Sequence, residues 1–95
     1  MVRSRGRTDT NQKEIVDQCR ARDWVVVILS QYKGHPFDIL VGAYRMWISF
    51  EVKRSEKEKL TEREAVFAVD CYKHQLPHYA VCSFEQIEQA FEVEK

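Results

Sequence analysis

Ninety-five residues carry 15 Lys+Arg against 15 Asp+Glu, are 44% hydrophobic and 12% aromatic, and include only three Gly and two Pro. This length suits one domain with a single core, and the apolar fraction excludes wholesale disorder. No apolar run approaches the roughly 18 residues of a membrane helix, and the longest, Trp24 to Leu29, is strand-sized. The start, Met1 to Arg7, lacks the apolar stretch of a signal peptide, so a cytoplasmic protein is expected. Cys19, Cys71 and Cys82 are odd in number and widely spaced, which disfavours a disulfide framework. Charge is uneven along the chain: residues 1–22 hold six basic and three acidic side chains, residues 65–95 two and five. A neutral total does not exclude nucleic acid, because phosphate contacts depend on a local patch.

Residues 1–8, Arg-rich and containing Gly6, read as a flexible basic arm ahead of one domain over residues 9–95. A helix is expected to start near Asp9 to Asn11 and run to about Ala21. Asn11 and Glu14 have capping-box spacing, and Ile15, Val16 and Cys19 form the apolar face. Trp24 to Leu29, rich in β-branched residues, reads as a strand buried on both faces. Gly34 and Pro36 break it. Ile39 to Val41 is a second strand, Gly42 to Arg45 a turn, and Met46 to Lys53 a third strand. In that third strand Ile48, Phe50 and Val52 share one face, and Ser49, Glu51 and Lys53 the other.

Residues 53–59 form a charged loop, and Thr61 caps a helix to about Lys73 with Ala65, Val66, Phe67 and Val69 as its apolar content. Tyr79 to Cys82 is a short last strand. Ser83 with Gln86 has capping-box spacing and opens a final helix through Phe91. The expected order is α-β-β-β-α-β-α, a mixed α/β single domain.

Asp38, twelve residues, then Glu51-Val52-Lys53 is the segment that carries chemistry. Alternation puts Glu51 and Lys53 on one strand face, about 7 Å apart, and a hairpin brings Asp38 beside Glu51. Two adjacent carboxylates repel unless a cation lies between them, and Mg²⁺ prefers oxygen ligands. Such an ion polarises a phosphate and helps deprotonate a water, and Lys53 would orient that water or neutralise developing charge. Taken alone the pattern is weak, since an acid two before a lysine on a strand face is commonly a solvated ion pair.

The chain resembles the PD-(D/E)XK nuclease superfamily, and specifically compact phage-type VRR-NUC proteins, relatives of Holliday-junction resolvases. The resemblance covers Arg7 to Val16, Gly34 to Gly42, Phe50 to Lys53, Lys59 to Thr61 and Tyr79 to Phe91. It implies a restriction-endonuclease-like fold, a central mixed sheet flanked by helices. It implies Mg²⁺ or Mn²⁺ held by Asp38, Glu51 and the Val52 carbonyl, with Lys53 as the catalytic lysine. Glu14 matches a first-helix glutamate that the family adds to the metal site; its other reading is the cap partner of Asn11. The implied activity is hydrolysis of branched DNA, a four-way junction in particular, in DNA repair or recombination in a bacterial or phage-infected cell. Cutting a junction symmetrically needs two sites, hence a homodimer. Nicking or flap cutting, or a catalytically silent DNA- or protein-binding module, are the alternatives. Two departures stand out: Phe37 separates Pro36 from Asp38, and Glu64 stands where many relatives carry Gln. Thr61-x-x-Glu64 is itself a capping box.

Other groups carry less. Cys71, His74, His78 and Cys82 are zinc-type ligands, but their spacing fits no common finger. Arg3, Arg5 and Arg7 on the arm, and Arg54, Lys57 and Lys59 beyond the site strand, are candidate phosphate contacts. His35 reads as a surface loop histidine. Trp24, Trp47, Tyr72 and Tyr79 read as core or interface, with Trp47 on the face of Glu51.

Overall fold

Seven elements follow one another: α1 (Arg3–Ala21), β1 (Val25–Ile28), β2 (Ile39–Ala43), β3 (Met46–Val52), α2 (Glu62–Lys73), β4 (His78–Val81) and α3 (Phe84–Glu94). The computed structural model describes the backbone of residues 3–95 and side chains from Asn11 onward. The side chains of Arg3, Arg5 and Arg7, expected on a basic arm, lie outside the described residues. The element order is the one that the sequence predicts.

The four strands form one sheet in the order β1-β2-β3-β4, antiparallel from β1 to β3 and parallel between β3 and β4. A parallel pair needs a crossover, and α2 supplies it. The β2–β3 hairpin closes on Tyr44 and Arg45, whose φ angles of 53° and 67° match a two-residue primed turn. The turn is tighter than expected and leaves Gly42 inside β2. There the Trp47 indole lies over the backbone, and a Cβ on residue 42 would sit 2.8 Å from the ring.

One sheet face holds the core. Ile39, Val41, Ile48, Phe50, Val52 and Val81 alternate onto it, against Ile15, Val16 and Cys19 of α1 and Phe84, Ile87, Ala90 and Phe91 of α3. Trp24 stacks among Tyr44, Phe84 and Phe91, which makes it a core residue. On the other face α2 is pinned by Phe67, whose ring centroid is 5.6 Å from Phe37 and 5.0 Å from His78. The residue that separates Pro36 from Asp38 is therefore an anchor for α2.

The structure corrects several expectations. Helix α1 runs from Arg3, so Asn11 is an interior residue and forms no capping box with Glu14. Its amide instead donates to the Lys53 carbonyl at 2.8 Å, a tertiary bond that takes the side chain away from local capping. Strand β1 is an edge strand. Val25 and Val27 are 55% and 42% exposed, on the face opposite Val26 and Ile28, which pack on the core. In α2 the apolar content is split: Val66 and Val69 are open to solvent and only Cys71 is buried. Ser83 caps α3 by accepting from the Gln86 N–H, but Gln86 Oε1 takes the Cys82 N–H at 2.6 Å, so that capping box is half formed.

Candidate active site

Asp38 stands one residue before β2, and its backbone is fixed by both neighbouring strands. Its N–H donates to the Phe50 carbonyl at 3.0 Å, and its carbonyl accepts from Leu29 and Ser30 at 2.8 and 3.1 Å. The side chain is aimed the same way: Oδ2 accepts the Val52 N–H at 2.8 Å and Oδ1 lies 3.3 Å from His35 Nε2. Gly34, at φ +74°, turns the loop that presents His35. His35 is thus a partner of Asp38 rather than a bystander on the surface.

Glu51 lies on β3 opposite Ala80 of β4 and is only 2% exposed. Burial first, then the negative charges of Asp38 and Glu64 and a hydrogen bond with Asp38, push its carboxyl up to about 8, with Lys53 pulling the other way. From the ordinary carboxylate value to about 8, the folded chain keeps a proton that the unfolded chain has lost. The folded state binds more protons across that window, so stability falls as pH rises through it. Without divalent metal, the melting temperature is expected to drop by more than about 5 °C between pH 5 and 8.5. Glu51→Gln removes that slope and is the more stable protein at pH 8.5. A flat wild-type profile would contradict this placement of Glu51.

Lys53, directly after β3, is 8% exposed, and three elements hold it. Its N–H donates to Val81 at 2.7 Å, its carbonyl accepts from Asn11, and Nζ donates to Glu64 Oε1 at 2.6 Å. Glu58 Oε2 lies 3.9 Å from the same ammonium. Glu64 does form the predicted capping box, its Oε1 accepting the Thr61 N–H at 2.8 Å. One carboxylate oxygen therefore serves both the helix terminus and the lysine. Burial opposes the charge of Glu64, but the Lys53 hydrogen bond and the Thr61 N–H outweigh it and hold its carboxyl below the usual range.

The structure thus brings Asp38, Glu51, Val52 and Lys53 together and adds His35 and Glu64. A cleft of about 890 Å³, lined by Thr61 and Phe67 among others, reaches His35, Glu51 and Glu64 of this group. Glu14 is exposed on α1, one turn beyond Asn11. Gln12, bonded to Ser30 Oγ at 2.8 Å, lines a second cleft with His35 and Asp38, together with Lys13, Val16, Asp17 and Arg20 of the same helix. A polar residue on the inward side of α1, at helical spacing from Ile15, Val16 and Cys19, was the available signal. Arg54, Lys57 and Lys59 are exposed on the loop after β3, with Arg54 Nε 3.5 Å from Glu58 Oε1. Cys71 is buried, and His78 Nδ1 lies 2.7 Å from Ser49 Oγ. Among the described residues no group of three or more His, Cys, Asp and Glu has metal-holding geometry.

A pair of carboxylates still suits a hard cation. Mg²⁺ is commonly bound through one or two carboxylates, completed by waters and substrate phosphates. Asp38 and Glu51 are such a pair, and a buried carboxyl pushed up beside a second one is what a divalent ion would relieve. The residues present fit the ion.

The solved structure of a VRR_NUC domain is similar to this chain, with a TM-score of 0.72 and 26% sequence identity over 90% of this chain and 95% of that one. No family model matches the chain, and no curated protein matches it. Among the described residues no helix is long and apolar enough to cross a membrane.

Proposed function

From the similarity of the chain to a VRR_NUC domain, we propose a Mg²⁺- or Mn²⁺-dependent endonuclease of branched DNA, with the four-way junction as substrate and a homodimer as the working unit. One observation carries the chemistry: Asp38, Glu51 and Lys53 converge around β3, with Glu51 and Lys53 buried. Buried charge is costly, and a solvated ion pair on a strand face would not be built this way.

Asp38, Glu51 and the Val52 carbonyl would hold the ion, without Glu14, which is exposed on α1. When bound, the ion supplies Lewis acidity at the phosphate and lowers the pKa of a water. The rest is the work of this chain. Lys53 donates hydrogen bonds to the scissile phosphate, where negative charge grows as the water oxygen bonds to phosphorus and the bond to the leaving oxygen breaks. Asp38 is prevented from turning away by the Val52 N–H and His35. Arg54, Lys57 and Lys59, with Arg3, Arg5 and Arg7 on the first turns of α1, would track the DNA backbone and set its salt dependence.

Exposed apolar residues on α2 and after it, Val66, Val69, Tyr72 and Leu76, support a self-associating chain. A gel assay on labelled four-way junction, flap, nicked and linear duplex DNA tests the substrate, beside sizing of the free protein and of its DNA complex. Paired symmetric cuts in the junction by a dimer are expected. Cuts confined to flaps or nicks, or a monomer throughout, would overturn the resolvase reading. Binding without any cut would favour a silent DNA-binding module.

A further inference from the structure

We propose that Glu64 is a positioning residue for Lys53, and that it fixes the ammonium by locking it to the N-terminus of α2. The proposal rests on the nuclease reading for its catalytic part and on geometry for the rest. Lys53 directly follows a strand, and a four-carbon side chain at such a place samples many rotamers unless something holds its tip. The backbone bonds to Val81 and Asn11 fix where the side chain starts, not where it ends. The tip is fixed by the 2.6 Å bond to Glu64 Oε1, the shorter of its two ion-pair contacts by more than 1 Å.

Glu64 can do this because its own carboxylate is not free to move. The Thr61 N–H holds Oε1 at 2.8 Å, while Thr61 Oγ1 accepts the Glu64 N–H at 3.2 Å. Helix α2 is in turn keyed to the sheet through Phe67, Phe37 and His78. The ammonium is thereby referred to the same sheet that places Asp38 and Glu51. Any movement of the α2 N-terminus carries the lysine with it.

Three variants separate positioning from plain stability. Glu64→Ala removes the tether and the box. Glu64→Gln keeps both an oxygen for Lys53 and a residue accepted in a capping box. Thr61→Ala weakens the cap but leaves Glu64 its Thr61 N–H. Steady-state cleavage, well below each melting temperature, is expected to show kcat reduced by about tenfold or more in Glu64→Ala with KM for DNA within about twofold. Most of that loss returns in Glu64→Gln, and Thr61→Ala keeps kcat within about threefold of wild type although it melts lower. An equal fall of kcat in Thr61→Ala, or none in Glu64→Ala, would overturn the proposal.

A readout independent of cleavage is the ¹⁵Nζ ammonium resonance of Lys53 in the metal-free protein. A slowly exchanging signal is expected in wild type and in Thr61→Ala, and its loss in Glu64→Ala. A wild-type protein that gives this pattern yet cuts no DNA would retain the tether and defeat the nuclease reading. A signal indifferent to Glu64→Ala would defeat the tether itself.

Discussion

In the Asp38→Asn variant, divalent-metal affinity measured by calorimetry falls by more than about 100-fold, beyond the 10–100-fold typical of losing an outer-shell partner. Asparagine has the shape of aspartate and keeps an oxygen for the Val52 N–H, so the fold and the hairpin survive. What disappears is one of the two negative charges that would hold the ion. The same change relieves Glu51 of its strongest charged neighbour, so the Glu51 carboxyl moves back toward its ordinary value. Metal binding and protein stability therefore shift in separable ways: the first is lost, and the second becomes less sensitive to pH between 5 and 8.5. A wild-type isotherm for Asp38→Asn would remove Asp38 from the metal site.

Lys53→Ala is expected to cut DNA about 100- to 1,000-fold more slowly than wild type, the usual effect of removing one electrostatic donor to a transition state. Metal binding persists, since the lysine is no ligand. The variant also leaves the Glu64 carboxylate without its ammonium partner in a cleft that it shares with Glu51. Lys53→Met, which retains the length and bulk of the side chain, controls for that loss of packing. Equal cleavage by wild type and both variants would make Lys53 a structural residue.

Asp38, Glu51 and Lys53 were legible because strand alternation and one hairpin suffice to bring them together. The bonding of the site was less legible, because it depends on which neighbours cover each face. Thr61-x-x-Glu64 read as a capping box, and it is one; that the same oxygen reaches Lys53 requires the β3–α2–β4 crossover, which no local pattern encodes. Asn11 misled through the same kind of contact, its amide engaged 42 residues away at Lys53. The apolar run of β1 read as a doubly buried strand, whereas sheet order made it an edge with Val25 and Val27 exposed. Propensity identified the elements; tertiary contacts assigned the side chains.

Cleavage of end-labelled DNA by the purified chain, with Mg²⁺, with Mn²⁺ and with EDTA, and beside Lys53→Ala, tests the central claim most directly. Products with either metal, none with EDTA, and a fall of about 100-fold or more in the variant are expected. Cleavage that persists in EDTA, or is indifferent to Lys53, would contradict a metal-dependent nuclease centred on Asp38, Glu51 and Lys53.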